Sequence, residues 1–533
     1  MTRDVDVVVV GAGFAGLYAL HRLRGDGLTV RVLEAADGVG GVWYWNRYPG
    51  ARCDVESVDY SYSFDEQLQQ DWDWSEKYAT QPEILRYLDH VADRFNLRPD
   101  ITFGVRVTDA VFDESALRWD IHTDTTGTVS ARFLVLAVGP LSNANIPAID
   151  GLDSFDGAVY HTAHWPHQGV DFGGQRVGVI GTGSSGIQVI PCIARQARQL
   201  YVFQRSPNYS VPAGNIPLDD DTRRAQKAGY PERRRLSMAS GGGSPHQPHP
   251  LPALDVPEPE RRDAYEKRWQ LGGVLFSKTF PDQMLEIGAN DTARIFWEDK
   301  IRSVVDDPTI TEWLIPDDHP IGTKRICTDD NYYQTFNRDN VTLVNLRRTP
   351  ILRMDTSGVT TSDAYFDLDV LVLATGFDAM TGSVDKLNIV GRDGETLNSA
   401  WASGPVTYLG LGVPGFPNLF NISGPGSPSE LAHMVLHSQL HVDWIADAIG
   451  YLAAHGASAI EATRSSAAQW TAECTQRAAE GLMLRANSWY LGANVPGKPR
   501  VFMPFVGGFG VYGQIISDIA AAGYKGFDLL GAN

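Results

Sequence analysis

Cysteine is scarce. Four occur in 533 residues, at Cys53, Cys192, Cys327 and Cys474, and no two stand in a C-x-x-C or other metal-ligand spacing. A disulfide framework for so long a chain needs more, so the thiols read as reduced and structural, which suits the cytoplasm. Long apolar runs are also missing. No stretch approaches the roughly 20 apolar residues of a membrane helix. Val5–Val10 is too short for a secretory leader and lacks a small-residue cleavage site. Basic residues are in deficit, 45 Lys and Arg against 64 Asp and Glu. The resulting charge of −19 argues against a general nucleic-acid or anionic-membrane surface, while leaving room for a local basic site. The expectation is a soluble, cytoplasmic protein with no nucleic-acid or membrane partner, no obligatory protein partner and no metal site.

What is present is a folded enzyme's composition. Apolar residues make up 43%, with 13 Trp, 20 Tyr and 21 Phe, which excludes a disordered chain. The length suits about three domains. Val5–Val10 reads as a buried parallel strand. Gly11-Ala12-Gly13-Phe14-Ala15-Gly16 follows, then a helix to about Gly25 and a second strand from Leu28 to Leu33, ending at Glu34. In this context G-x-G-x-x-G is a strong dinucleotide fingerprint. Gly11, Gly13 and Gly16 let the backbone approach a pyrophosphate at the helix N-terminus, and Glu34 accepts from ribose hydroxyls.

A second such unit starts at strand Arg176–Ile180. Its turn is Gly181-Thr182-Gly183-Ser184-Ser185-Gly186, and its next strand, Leu200–Gln204, ends in Arg205-Ser206 with no acid. Arg205 pairs with a 2′-phosphate where a carboxylate would repel it, so the second ligand is NADP rather than NAD, with Lys324 as a second cation. Two further apolar strands, Phe133–Val138 and Leu368–Ala374, each run into a glycine and mark the chain's crossings between two domains. From about 213 to 316 the character changes. Arg233-Arg234-Arg235 and a Gly/Pro/His-rich run to Pro259 precede helical patterns near Ala264–Leu271 and Asn290–Val304, predicting a helical insertion.

The fold class expected is α/β, with two Rossmann-like domains. Residues 1–142 and 378–533 form a split FAD domain, and 143–377 form an NADP domain carrying the insertion. Disulfide reductases share the layout but need a cysteine pair by the flavin. Hydroxybenzoate-type hydroxylases carry one fingerprint, not two.

Phe155-x-Gly157-x-x-x-His161-x-x-x-Trp165-Pro166 stands just before the second fingerprint. It resembles the signature of type I Baeyer–Villiger monooxygenases, within which the chain is similar to the steroid and phenylacetone group. Further blocks agree across nearly the whole chain, among them Gly40–Asp54, Gly322–Arg325, Ala374–Asp378, Gly424–Ser429 and Ser488–Arg500. The resemblance implies FAD and NADPH as cofactors, and a ketone and O2 as reactants. It also implies conversion of bulky aryl or steroid ketones to esters or lactones through a C4a-peroxyflavin. It assigns Arg325 to stabilising the peroxide anion and Asp54 to holding that arginine. Arginine suits the task because it stays charged at any working pH. Flavin contacts are implied at Gly41, Val42, Trp43, Arg52, Asp54, Tyr60, Val107 and Met434. NADP contacts are implied at the second fingerprint (Gly181, Thr182, Gly183, Ser184, Ser185, Gly186), Gln188, Arg205, Ser206, Lys324 and Trp489, the last on a loop that closes over the nicotinamide. His161 positions domains. Glu430, Leu431 and Ala432 fall at the expected substrate rim, with His433 and Met434 nearby. On its own, Glu430 reads as a solvated loop carboxylate; facing the pocket, it would disfavour anionic or very apolar ketones. Two alternatives remain open: an N- or S-oxygenating flavoprotein, which the Trp165-Pro166 ending argues against, and a non-catalytic nucleotide-binding redox module.

Overall fold

The structure is a computed structural model describing residues 3–125 and 127–531. Strand Arg3–Val10 is a run of valines, with Val7, Val8 and Val9 wholly buried. Only a strand covered on both faces tolerates so continuous an apolar run. It pairs in parallel with Val30–Leu33 and with Thr128–Leu136, and helix Phe14–Gly25 links the first two. Ile101–Thr102 extends this sheet on one side. Arg118–Thr123, Val107–Asp113 and Asn388–Val390 extend it on the other, while Leu419–Asn421 pairs beside Thr128–Leu136. Segments from both ends of the chain therefore complete one eight-stranded sheet.

A second sheet of five parallel strands lies wholly between residues 158 and 373. Its order is Val341–Asn345, Gln199–Gln204, Arg176–Ile180, Val370–Leu373, Ala158–His161. The architecture is the α/β pair of Rossmann-like sheets that the two fingerprints predict. Strand ends differ by a few residues. Leu28 lies outside the second strand because the Asp6 carboxylate takes the Thr29 N–H and hydroxyl, and regular pairing begins at Val30.

Thr128–Leu136 lies in the first sheet and Val370–Leu373 in the second. Beyond Leu136 and Leu373 the chain turns through Gly139 and Gly376, both at positive φ. The crossing segments brace each other: Asn145 N donates to Gly376 O (2.9 Å), and Thr375 Oγ1 donates to Asn145 O (2.6 Å). His161 accepts from Ala163 N at Nδ1, so its Nε2 carries the proton and reaches Thr375 Oγ1 at 3.2 Å. This places His161 at the junction between the sheets.

The insertion sits between the paired strands Ser210–Pro212 and Cys327–Asp329. It holds the two expected helices, Glu258–Leu271 and Ile287–Arg302, with Pro308–Leu314 after them. It also holds Asp220–Ala239, a 20-residue helix that the sequence pattern does not announce. Gly229, Pro231 and dense charge hide it, since proline inside a helix removes a backbone donor. Tertiary contacts compensate. Arg233 pairs with Glu56 and Asp59, and Arg234 donates to Asp59 O and to Ser61 Oγ at 2.8 Å. The arginine run is a seam to the first domain rather than a free basic patch.

Candidate active site

The first glycine turn leaves bare backbone around an opening. At Gly11, φ is +103° and a Cβ would meet Ala137 O at 2.6 Å; at Gly16 it would stand 1.8 Å from Gly11 O. Gly13 faces Gly41, whose Cα lies 3.5 Å from where a Cβ would be, and Gly40 N donates to Ala12 O. No side chain caps helix Phe14–Gly25 at Gly13. The free N–H groups at that helix start, between two glycine loops, fit a pyrophosphate. Glu34 is buried and already accepts from Ala12 N (2.6 Å) and Ala36 N (2.8 Å). Burial raises its pKa despite those bonds. Each oxygen keeps a free lone pair, so the carboxylate can both brace the turn and meet a ribose hydroxyl. Val42 and Trp43 follow Gly41 in a short helix, and Trp43 Nε1 donates to Tyr60 at 3.2 Å. Val107 opens a strand and Met434 opens the helix to Ala454. Arg52 is engaged elsewhere, by Glu76 (2.9 Å) and Tyr78 O.

The second turn repeats the design. Gly181 has φ +109° and no room for a Cβ beside Ala374 O, and Gly186 has none beside Gly181 O, whereas Gly183 opens on free space. Ser184 and Ser185 begin the following helix, and Thr182 Oγ1 donates to Ser206 O at 3.1 Å. Gln188 bridges Tyr48 and Arg52 O, so its amide joins the two nucleotide segments. Arg205 is exposed. Burial lowers the Lys324 pKa, Asp318 opposes that shift, and the charges of Arg347 and Arg205 reinforce it. Arg347, which the sequence did not single out, also reaches Ser206 Oγ and pairs with Asp317 and Asp318. Its one signal was position, just past Val341–Asn345, the strand beside Gln199–Gln204. Three cations thus flank the end of that strand, a fit for a 2′-phosphate.

A cavity of about 320 Å³ is bordered by Asp54, Arg325, Glu430, Leu431, Ala432 and Tyr490. Arg325 donates from Nε to Asp54 Oδ2 (2.8 Å), from Nη2 to Asp54 Oδ1 (2.9 Å), and from Nη1 to Glu430 O (2.5 Å). Burial disfavours both charges, but the guanidinium holds the Asp54 carboxyl below the usual range and Asp54 raises the arginine's pKa. The charged pair is the stable form at any working pH.

The expectation of a solvated Glu430 carboxylate is corrected. The residue is 5% exposed, and neither carboxyl oxygen has a partner. Burial pushes its pKa up to about 7, only partly offset by polar groups of its own turn and the charge of Arg325. The 3-10 turn Ser429–Leu431 directs this side chain into the protein, a tertiary outcome that local sequence does not encode.

The segment carrying Trp489 is docked in this structure. Trp489 packs on Tyr490 at 4.1 Å between ring centroids and against the cluster of Ala379, Met380 and Met503. Asn494 Nδ2 donates to Phe377 O (2.6 Å), and Lys498 pairs with Asp378.

Residues 4–214 match the flavin-binding monooxygenase-like family. Over 525 residues the chain is 41% identical to a Baeyer–Villiger monooxygenase of Pseudooceanicola batsensis, covering 98% of this chain and 95% of that one. It is also 41% identical over 533 residues to a phenazine N-monooxygenase of Lysobacter antibioticus, covering 98% and 97%. A solved structure of an oxidized steroid monooxygenase bound to NADP aligns with a TM-score of 0.95 at 68% identity, covering 99% of this chain and 100% of that one.

Proposed function

The chain belongs to the type I Baeyer–Villiger monooxygenases, and from that premise we propose how its own residues serve the reaction. It is an NADPH- and O2-dependent flavoprotein that converts ketones to esters or lactones, with FAD and NADP as cofactors. When bound, FAD would carry the electrons from NADPH to O2 and deliver one oxygen atom of that O2 to the ketone.

The Arg325–Asp54 pair beside the cavity carries the assignment of roles. Asp54 fixes the guanidinium through two bonds and leaves its charge at the cavity wall. There Arg325 favours an anionic oxygen nucleophile and stabilises the charge that grows on the carbonyl oxygen during attack. Because the guanidinium is already oriented, little reorganisation is needed as the charge develops. The turns at Gly11–Gly16 and Gly181–Gly186 would hold the two pyrophosphates. Glu34 would meet the FAD ribose, while Arg205, Lys324 and Arg347 would hold the 2′-phosphate. The docked Trp489 segment would exclude water from the nicotinamide side.

The substrate proposed is a bulky ketone, aryl or steroidal. The support is the cavity's size, its largely apolar walls, and the 68% identity to a steroid monooxygenase. N-oxygenation is the second reading, favoured by the 41% identity to a phenazine N-monooxygenase. The Trp165-Pro166 ending and a paired arginine facing the cavity favour the ketone. No helix among the described residues is long and apolar enough to cross a membrane. Together with four free cysteines, this supports a cytoplasmic location.

The test is product analysis by mass spectrometry after incubation with NADPH, air and a panel of phenylacetone, cyclohexanone and progesterone. An ester or lactone one oxygen heavier than its ketone supports the proposal. An N-oxide from an added aromatic amine, with no ester from any ketone, supports the second reading instead.

A further inference from the structure

Lys278 ends the 3-10 turn Val274–Lys278 of the helical insertion and lines the same cavity as Arg325. Two observations about it pull in opposite directions. Its side chain is exposed, yet burial draws its pKa below the usual ammonium range, and Arg325's charge adds to the effect. Lys278 is accessible yet partly desolvated, as befits a side chain on the wall of the cavity. No carboxylate pairs with it among the described residues, although six other lysines are paired.

Of the other charges on the cavity wall, exposed Glu480 forms no ion pair among the described residues, with Lys278 or any other cation, and the rest are held or buried. Asp54 is held by Arg325, and Glu56 and Asp59 by Arg233. Arg477 pairs with Glu473. The Glu430 carboxyl is enclosed by protein, and burial pushes its pKa up to about 7. Lys278 is the unmatched cation of a cavity whose remaining wall is built from residues such as Val274, Leu275, Leu431, Phe505 and Val506. A wholly apolar ketone filling this space would strip water from the ammonium and return no hydrogen bond, which is unfavourable.

We propose that Lys278 is a specificity-determining residue that reads a second hydrogen-bond acceptor on the ketone, a carbonyl or a carboxylate. The acceptor is carried on an apolar body whose reacting carbonyl lies at Arg325. The inference rests on the ketone reaction assigned above. Arg325 does not serve the second group, because Asp54 and Glu430 O hold three of its five N–H donors and the remaining two are directed to the reacting centre. A cationic substituent is excluded by repulsion from both residues, so discrimination is attractive for acceptors and repulsive for amines.

Two matched pairs test it in the FAD-loaded enzyme: 5α-pregnane-3,20-dione against 5α-pregnan-20-one, and 4-(3-oxobutyl)benzoate against 4-phenyl-2-butanone. The quantity read is the ratio of kcat/KM within each pair. Lys278→Met should lower that ratio about tenfold or more in at least one pair, mainly through KM, and Lys278→Arg should restore much of it. The steroid pair responding alone identifies a carbonyl partner, and the benzoate pair alone a carboxylate. Ratios that Lys278→Met leaves unchanged in both pairs overturn the inference. So does an unchanged ratio with a weakened NADP Kd by fluorescence titration, which would assign the ammonium to the dinucleotide. If the wild type gives ester from none of the four ketones, the reaction assignment fails and this inference falls with it.

Discussion

Arg325 and Asp54 stand 271 positions apart in the chain and meet through two bonds, Nε to Oδ2 at 2.8 Å and Nη2 to Oδ1 at 2.9 Å. The third arm of the guanidinium rests on the main-chain oxygen of Glu430. Three distant segments therefore set the direction of one charge, and Asp54 is the only one of the three to contribute a formal opposite charge.

Removing Asp54 should therefore disturb Arg325 rather than the flavin site as a whole. Asp54→Ala leaves a half-buried guanidinium without its counter-charge, an unfavourable change. The protein should remain yellow, with ester formation down about 100-fold and a larger share of NADPH oxidation appearing as hydrogen peroxide. Steady-state rates of NADPH loss, peroxide and ester check this together. A Asp54→Ala enzyme as well coupled as wild type would deny the pair its role.

The cation group near Arg205 should set dinucleotide preference. Arg205→Ala and Arg347→Ala should each raise KM for NADPH about 10- to 100-fold, the range for losing a charge-assisted phosphate contact. KM for NADH, which has no 2′-phosphate, should change little. Arg347 is the sharper test. An Arg347→Ala variant with unaltered NADPH preference would leave it as a structural partner of Asp317 and Asp318.

Glu430 should make folding stability depend on pH. Its folded pKa, about 7, is raised from an ordinary 4.5. A raised carboxyl leaves stability whole below pH 4.5 and lowers it as pH rises toward 7, by about 3 kcal/mol in all. Arg325, Tyr490 and His433 surround it; the depressed His433 pKa, about 4, has the opposite sign. Comparing Glu430→Gln with wild type cancels that histidine term. The variant's Tm should gain on wild type between pH 5 and pH 8. A parallel pair of Tm curves would mean that the carboxyl finds a partner in solution.

The glycine turns admit no side chain. Gly16→Ala would press a methyl group to 1.8 Å from Gly11 O, and Gly186→Ala to 2.2 Å from Gly181 O. Gly16→Ala should yield a protein low in flavin, read from its visible absorbance. Gly186→Ala should keep flavin but lose NADPH binding. A fully yellow Gly16→Ala protein would show that the first turn can yield without harm.

Much of the fold was legible because it rests on local pattern. Valine-rich runs ending in glycine turns specify the parallel strands at the heart of both sheets, and the acid after one second strand, against the arginine after the other, separates the two ligands. Arg325 and Asp54 were visible only through family resemblance, since nothing near either residue names its partner 271 positions away. Enclosure was not legible. Glu430 reads as a surface loop residue until its turn is seen to bury it, Gln188 and Arg52 are drawn into contacts between segments, and Lys278 matters only because a cavity forms beside it. Helix Asp220–Ala239 was hidden by Pro231, whose local penalty is outweighed by the ion pairs of Arg233.

The most direct test of the central claim uses oxygen isotope. Wild type and Arg325→Ala are incubated with NADPH, a bulky ketone such as progesterone, and 18O2, and products are read by mass spectrometry. Wild type should give an ester carrying one 18O atom, while Arg325→Ala oxidises NADPH and gives peroxide with ester reduced at least about 100-fold. Labelled ester from Arg325→Ala at a rate near wild type would contradict the account.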